Sequence, residues 1–401
     1  MMWFFVTLII AKAAFLAIRL VGRSEGTSAV GLLVLKICPK FLTRAQKYVS
    51  GEKITITGTN GKTTTAGILA AIFKHGGKEI IHNDKGANML SGVANAFAVQ
   101  LSPFKKFDAC VIESDEAYLA KLYDYINFDY LIVTNLSSDQ VDRYGGVEMV
   151  ASKVKDAISK NPDLKIVLNA DDPIVSEFDK GRNAVYFGFK TPKCKYSADL
   201  EVQKEQLIIK LNGFSYTVPL FGAYNGYNAL GAIALALECG FEPPQIQEAL
   251  NSYKPAFGRC QKCELEGRAT VIQMIKNPAG ANEVLKTVDK NSHILIGIND
   301  NFGDGRDISW LWDTDFEQLK DPKYPIVVTG IRASDMSKRL KDAGVPDEKI
   351  IVINDVKSAM KRVLASAKDT SAANADSGGE VTILPSYTVL MEITKLYRGI
   401  I

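Results

Sequence analysis

The chain has 401 residues, enough for two or three domains, and its 47% apolar and 23% charged content is ordinary for a globular protein that buries more than one core. A net charge of +3 excludes the strongly basic surface of a general nucleic-acid binder. The six cysteines (Cys38, Cys110, Cys194, Cys239, Cys260 and Cys263) are scattered and fit reduced cytosolic thiols better than a disulfide framework.

Taken in chain order, residues 1–11 are strongly apolar, but Lys12 and Arg19 interrupt the run. What is left uninterrupted is about half of the ~20 residues that a membrane span needs. Positive charge follows the apolar run, whereas a secretory leader places it before. Residues 2–21 therefore read as a helix that packs on the body or lies against a membrane face, with a span or a leader as the remaining readings.

Next comes Ile54-Thr55-Ile56-Thr57-Gly58-Thr59-Asn60-Gly61-Lys62-Thr63-Thr64-Thr65. An alternating β-branched run ends at a glycine, and a helix closed by Gly76-Gly77 follows. Gly58 and Gly61 let backbone N–H groups close around phosphate oxygens, the helix start adds partial positive charge, Lys62 reaches the outer phosphates, and Thr63 can ligate Mg²⁺. The spacing is shorter than G-x4-G-K-[ST], but strand, loop and helix all stand in place for a nucleoside triphosphate.

Ala109–Glu113, Tyr130–Thr134 and Lys165–Asn169 read as buried strands, and 146–159 as a helix between them. Continuous apolar strands alternating with helices predict a parallel sheet covered on both faces. Each strand ends in polar residues: Glu113-Ser114-Asp115-Glu116, then Thr134-Asn135 leading to Asp139-Gln140-Val141-Asp142-Arg143-Tyr144, then Asn169-Ala170-Asp171-Asp172. The carboxyl ends of parallel strands face the ligand, so Glu113 is a candidate Mg²⁺ ligand beside the γ-phosphate. Residues 200–202, 206–211 and 215–218 read as short antiparallel strands with a turn at Asn212-Gly213, and 228–238 as a helix. A boundary falls near Pro255. Beyond it, 270–275, 293–298, 326–329, 350–353 and 381–384 read as strands, with helices at 279–289 and 333–343, giving a second, smaller α/β domain. Residues 366–380 are polar and rich in small residues, and read as a flexible loop. Cys260-x-x-Cys263 lacks the second pair that a structural zinc site needs, so no zinc is expected.

Gly58–Thr64, Asn169–Asp172 and Gly222-Ala223-Tyr224-Asn225-Gly226-Tyr227-Asn228 together resemble the ATP-binding central domain of the Mur ligases and folylpolyglutamate synthases. The later segments Lys276-Asn277-Pro278-Ala279-Gly280, Asn299-Asp300-Asn301-Phe302-Gly303-Asp304-Gly305, Ser309-Trp310-Leu311-Trp312-Asp313 and Leu384-Pro385-Ser386-Tyr387-Thr388 are similar to those of the MurT family, the synthetase subunits of lipid II isoglutaminyl synthase. The resemblance covers roughly residues 50–400. It implies an α/β chain with a lead-in over 1–50, a Mur-ligase-like ATP-binding domain over 51–255 and a partner-contacting α/β domain over 256–401. It also implies a reaction: ATP with Mg²⁺ phosphorylates the α-carboxylate of D-glutamate in the lipid II stem peptide, and ammonia from a GatD-type glutamine amidotransferase subunit displaces the phosphate.

Carried onto this sequence, Gly58, Thr59, Asn60, Gly61, Lys62, Thr63, Thr64 and Asn135 would form the phosphate site, with Thr63 and Glu113 holding Mg²⁺. Asn225 would lie near the adenine, and Asn277 would face the transferred phosphate. Lys153 would match a lysine that many Mur ligases carbamylate, and Gln140 replaces a histidine used near a second metal. Many family members carry a four-cysteine zinc ribbon, of which only Cys194 is retained here. The family further implies that an aspartate of the second domain completes the partner's glutaminase triad; Asp313 is the choice, with Asp307 and Asp315 behind it. Only 57 residues precede Gly58, too few for the UDP-binding domain of the three-domain ligases, so a lipid-linked substrate at the membrane surface is expected. Two alternatives stay open: a stand-alone ligase joining an amino acid to a carboxylate, and an ATP-binding assembly subunit without chemistry.

Overall fold

Runs of Ile, Val and Leu that are apolar on both sides can only become strands covered on both faces. In the computed structural model, three such runs, β3 (Ala109–Glu113), β4 (Tyr130–Val133) and β5 (Lys165–Asn169), line up with β1 (Lys53–Thr57), β2 (Ile80–His82), β6 (Ala184–Gly188) and β7 (Tyr196–Ser197). The structure describes residues 2–21, 27–84, 87–102, 104–137, 146–178, 184–192, 194–203, 205–256, 258–373 and 379–399. They fall into two units, Met1–Lys254 and Pro255–Ile401.

The sheet of the first unit has the order β2-β3-β1-β4-β5-β6-β7, with every neighbouring pair parallel. β1 sits between β3 and β4, with Ile56 opposite Glu113 on one side and Thr57 opposite Val133 on the other. The chain leaves β1 toward β2 and later returns to β4 on the other flank, which makes the carboxyl end of β1 a topological switch point where a crevice forms. Three further strands, β8 (Asp199–Val202), β9 (Leu207–Leu211) and β10 (Phe214–Val218), form the expected antiparallel sheet. Asn212 and Gly213 both take positive φ (50° and 80°), the geometry a two-residue hairpin turn demands.

Nine helices of the first unit are described: α1 (Met2–Val21), α2 (Thr27–Ile37), α3 (Phe41–Ala45), α4 (Lys62–His75), α5 (Leu90–Gln100), α6 (Glu116–Leu122), α7 (Val147–Lys160), α8 (Ala223–Glu238) and α9 (Pro243–Asn251). Along α1, Phe4, Leu8 and Ala11 recur at helical spacing and are buried, with Phe15 and Ile18 packed behind them. They join a core that includes Phe41, Phe97 and Phe128. The α2–α5 crossing is so close that a Cβ on Gly31 would lie 1.7 Å from the Ser91 carbonyl oxygen. No described helix is long and apolar enough to cross a membrane. Helix α8 starts at Ala223, a full turn before the expected start at residue 228; Gly222, with φ 83°, makes the break.

The second unit carries a mixed sheet of order β11-β12-β16-β13-β14-β15. Its strands are β11 (Gln261–Leu265), β12 (Arg268–Ile272), β13 (His293–Gly297), β14 (Ile326–Thr329), β15 (Ile350–Val352) and β16 (Val381–Pro385), and its helices α10 (Pro278–Leu285), α11 (Ala333–Asp342), α12 (Val356–Ala373) and α13 (Tyr387–Leu396). Only β11 runs antiparallel, paired to β12 through the turn at Glu266-Gly267. The sequence analysis missed β11, because Gln261-Lys262-Cys263-Glu264-Leu265 is a half-exposed edge with little apolar signal. The expected loop at 366–380 is corrected in its first half. Helix α12 runs on to Ala373, because Ala359, Val363 and Ala367 keep the apolar register facing the core and carry the helix through weak helix formers. Residues 374–378 of that segment lie outside the described part.

One buried cation organises the loop between β13 and β14. Arg339 of α11 is almost fully buried; its Nε donates to the Leu311 carbonyl (2.9 Å), and its Nη2 donates to the Thr314 carbonyl (2.6 Å) and to both carboxylate oxygens of Glu317 (2.9 and 2.7 Å). The Arg339 hydrogen bond holds the Glu317 carboxyl below the usual range. Removing the guanidinium would take from the Leu311 and Thr314 carbonyls their charged donor, leaving them only the turn N–H groups of Thr314 (3.4 Å) and Phe316 (2.9 Å), and would leave a gap in the buried site. Arg339→Ala is therefore expected to cost about 3 kcal/mol in urea denaturation, whereas Glu317→Gln, at a half-exposed carboxylate, should cost under ~1 kcal/mol. Equal small losses in both would show that Arg339 is not the anchor.

Candidate active site

The phosphate-type loop is built at the carboxyl end of β1. Gly58 and Gly61 take φ of 129° and 88°, conformations that disfavour any side chain. Space is closed as well: a Cβ on Gly58 would lie 2.2 Å from Thr134 Oγ1, and one on Gly61 1.9 Å from Asn228 Oδ1. The end of β4 clamps the loop. Asn135 Oδ1 accepts from the Asn60 N–H (3.0 Å), and Asn135 Nδ2 donates to the Asn60 carbonyl (2.9 Å). The Thr59 N–H donates to the Asn135 carbonyl (2.8 Å), Thr134 Oγ1 donates to the Asn60 carbonyl (2.7 Å), and the Ser137 N–H donates to Thr59 Oγ1 (3.0 Å).

Lys62 opens α4 and is buried. Its ammonium donates to Glu116 Oε1 (2.9 Å), to the Thr59 carbonyl (3.2 Å) and to the Gly58 carbonyl. Burial works against the charge, but Glu116 and then Glu113 more than offset it, so Lys62 is held above its ordinary value and stays cationic. Thr63 is half-buried beside it and Thr64 is buried.

Glu113 ends β3 against β1. Its backbone N–H donates to Asn83 Oδ1 (2.9 Å), Asn83 Nδ2 donates to its carbonyl (2.8 Å), and Asn88 Nδ2 donates to its Oε1 (3.1 Å). Its Oε2 is buried without a hydrogen-bond partner. A buried carboxylate oxygen left open beside a glycine cradle and a threonine hydroxyl fits a hard cation that takes its remaining ligands from phosphate and water. The donor set therefore suits Mg²⁺ at Glu113 and Thr63. Among the described residues no cluster of three or more His, Cys, Asp or Glu could hold a metal on its own.

The remaining strand ends serve as supports. Asn169 Nδ2 donates to the Thr134 carbonyl (2.9 Å), and Asp172 Oδ2 accepts from the Leu136 N–H (2.9 Å). Asp171 accepts from Thr191 Oγ1 (2.7 Å), from the N–H groups of Phe189 (2.7 Å) and Lys190 (2.9 Å), and from the Tyr227 hydroxyl (3.0 Å). Burial raises its pKa, but those four donors outweigh it and hold Asp171 below the usual carboxylate range. Asn225 is buried at the start of α8, donating to the Phe221 carbonyl (2.9 Å) and accepting from Asn228 Nδ2 (3.0 Å), so it stands one residue pair behind Gly61. Lys153 is half-buried on α7. Gln140 lies outside the described residues, as does the rest of 138–145.

In the second unit Asn277 is buried and caps α10, its Oδ1 accepting from the Gly280 N–H (2.7 Å). The three aspartates differ. Asp307 accepts from the Ser309 N–H and Oγ (both 2.8 Å), and Asp315 Oδ2 accepts from Gln318 Nε2 (3.0 Å). Asp313 is exposed on the loop that Arg339 anchors, beside Trp312, whose Nε1 donates to Asp342 Oδ2 (3.3 Å). The sequence analysis did not single out Glu116, Asn83, Asn88, Thr134 or Asn228 for these roles. Glu116 stood in the acidic cluster and Asn228 in the Gly222–Asn228 motif, but only tertiary packing distinguishes them from their neighbours.

This geometry makes nucleotide binding sensitive to two residues for different reasons. Asn135→Ala loosens the loop and is expected to weaken ADP binding about 10-fold, the worth of one to two hydrogen bonds, with or without magnesium. Glu113→Gln leaves the loop intact and should remove the magnesium dependence of ATP binding. Calorimetry of both variants with and without Mg²⁺ separates the two effects; unchanged magnesium dependence in the second would remove Glu113 from the metal site.

Residues 56–236 match the Mur ligase middle domain and residues 274–390 match the MurT ligase C-terminal family. The lipid II isoglutaminyl synthase (glutamine-hydrolyzing) subunit MurT of Staphylococcus aureus strain COL is 31% identical, over 97% of this chain and 98% of that one. The subunit of the same name from Streptococcus pneumoniae R6 is 28% identical over 97% and 96%. Among solved structures, MurF from Acinetobacter baumannii superposes with a TM-score of 0.69 at 16% identity, covering 91% of this chain and 80% of that one. The Mycobacterium tuberculosis folylpolyglutamate synthase with ADP and AMPPCP gives 0.68 at 16%, covering 89% and 94%. These structures share the fold, and the one with ADP and AMPPCP carries nucleotide on it. Because the alignment to the Staphylococcus subunit runs through both units and not the nucleotide-binding half alone, this chain belongs to the MurT family of Mur-ligase-fold, ATP-dependent ligases.

Proposed function

We propose that the chain is the synthetase subunit of a lipid II isoglutaminyl synthase, converting the α-carboxylate of D-glutamate in the lipid II stem peptide to D-isoglutamine at the cytoplasmic face of the membrane. The observation that carries this reading is the near end-to-end alignment with MurT subunits, 97% of one chain and 98% of the other.

ATP with Mg²⁺ supplies the phosphoryl group and the charge that makes it transferable. The chain's own residues do the rest. The backbone of Gly58–Lys62, held still by Asn135 and Thr134, fixes the phosphates, and Lys62 exchanges the Gly58 and Thr59 carbonyls for phosphate oxygens while Glu116 keeps it charged. Glu113, with its open Oε2, and the Thr63 hydroxyl would hold the cation. The substrate carboxylate oxygen forms a bond to the γ-phosphorus as the bond to ADP breaks. Ammonia then forms a C–N bond to the activated carbonyl carbon, inorganic phosphate leaves with the C–O electrons, and a proton is released. The family resemblance implies a part for Asn277 in this step, and its side chain fixes the start of α10 by capping it.

The ammonia comes from a GatD-type glutamine amidotransferase subunit. A glutaminase built on cysteine and histidine needs an acid to hold the histidine tautomer. Asp313 suits that role: its carboxylate accepts no hydrogen bond among the described residues, whereas Asp307 and Asp315 are occupied by their own loop.

Two variants test the reading. Lys62→Ala is expected to abolish ATP-dependent amidation while the fold, read by circular dichroism, survives. Asp313→Asn should leave amidation driven by ammonium salt intact and lower the glutamine-driven rate roughly 10²- to 10⁴-fold. Normal turnover by the first variant at saturating ATP, or equal rates for the second with glutamine and with ammonium, would overturn the corresponding assignment. Elemental analysis of the purified protein is expected to find no zinc.

A further inference from the structure

Among the described side chains, the side of α1 that faces away from the core carries no polar residue. Trp3, Ile9, Ile10, Ala13, Leu16 and Ala17 are its exposed residues, with Trp3 at 65%, Ile9 at 69% and Leu16 at 60% exposure. They recur at spacings of three, four and seven, so they form one continuous stripe opposite the buried Phe4–Leu8–Ala11 stripe. An ordinary surface helix would place charged residues there. Among the side chains described on α1, Lys12, half-exposed, stands at the margin.

Helix α2 packs beside α1 and extends the same character. Leu32, at 59% exposure, and Leu33 stand out, and Lys36 follows one turn later on the same side. Lys40, Arg44 and Lys47 continue the row of exposed cations. No Asp or Glu occurs in residues 2–21 or 27–51. No ion pair to a carboxylate is formed by Lys36, Lys40, Arg44 or Lys47 among the described residues.

We propose that the α1–α2 hairpin seats the protein in the plane of a bilayer that contains anionic lipid, with the Trp3–Leu16 stripe in the acyl boundary and Lys36, Lys40, Arg44 and Lys47 at the headgroups. The combination separates this occupant from a protein one. Protein interfaces are depleted in lysine, whereas helices lying on a membrane pair an apolar stripe bearing Trp and Leu with flanking Lys and Arg. Charge complementarity adds to apolar burial, because each cation near an anionic leaflet contributes separately. The inference rests on the proposed lipid-linked substrate for its purpose, since an enzyme held at the surface meets a substrate confined to it, but vesicle binding is read without that substrate.

The full chain, alone and with its glutaminase subunit, is to be sedimented with vesicles of equal parts phosphatidylglycerol and phosphatidylcholine, and with phosphatidylcholine alone. Wild type should bind the anionic vesicles and release as salt rises. The Ile9→Glu/Leu16→Glu variant should bind at least ~10-fold more weakly. The Lys36→Gln/Lys40→Gln variant should lose most of the preference for anionic lipid and the salt dependence. Both variants alter exposed positions and should keep the wild-type melting temperature and the wild-type rate on detergent-dispersed lipid II. Failure of wild type to bind anionic vesicles, or equal binding by the variants, overturns the proposal. So does a wild-type dimer, or a complex with the glutaminase, that the Ile9→Glu/Leu16→Glu variant breaks while no vesicle binding is seen. Absence of amidation of detergent-dispersed lipid II by wild type would count against the proposed reaction instead, and leaves the vesicle result to be read by itself.

Discussion

The Asn135 amide closing on both polar groups of the Asn60 peptide is the contact on which the nucleotide-binding unit turns. A loop with two glycines at positive φ is costly to order, because glycine loses the most backbone freedom on folding. Asn135 and Thr134 meet that cost from outside the loop, and they can do so only because β4 lies directly beside β1. The strand order, in turn, follows from strands that are apolar on both faces and must all be covered. Rigid phosphate-binding geometry thus descends from sheet topology through one side-chain amide.

Around that clamp the unit concentrates charge in a dry place. Lys62, Glu113 and Glu116 are all buried, and an unpaired ion there would be strongly disfavoured. The arrangement resolves this by pairing Lys62 with Glu116 while leaving one oxygen of Glu113 open. Breaking either partner out of the pair would be more damaging than the net strength of the pair suggests, since the other would remain buried and uncompensated. Asp171 illustrates the opposite use of a carboxylate. Four donors saturate it, and it ties the exit of β6 to α8 with nothing left for a ligand.

Much of this was legible in the sequence. β3, β5 and β14 were read to the residue, because short apolar runs rich in Val and Ile and bounded by polar residues favour buried strands, and Asn212-Gly213 announced its turn through backbone chemistry. Gly58, Gly61, Lys62, Thr63 and Glu113 could be read because local order alone places them at a strand end or a helix start. What stayed hidden depended on distant partners. Nothing local tells Asn228 from Asn225, or Glu116 from Asp115; the difference is which one meets Gly61 or Lys62 across the fold. The edge strand Gln261–Leu265 was invisible for want of apolar residues, and α12 outran its expected end because its packed first turns propagate through a sequence too weak to start a helix.

The anchoring of the 309–317 loop by Arg339 has a kinetic meaning. An acidic group lent to another chain is often presented by a segment that orders only on contact, and association then waits on a folding step. Here the segment is already fixed from within by a buried guanidinium. On the proposed reading, a partner that takes its acid from this loop would meet it as a rigid body, at a rate set by diffusion and orientation and not by conformational search. Two subunits joined in this way could separate and rejoin repeatedly without either having to refold its share of the common site.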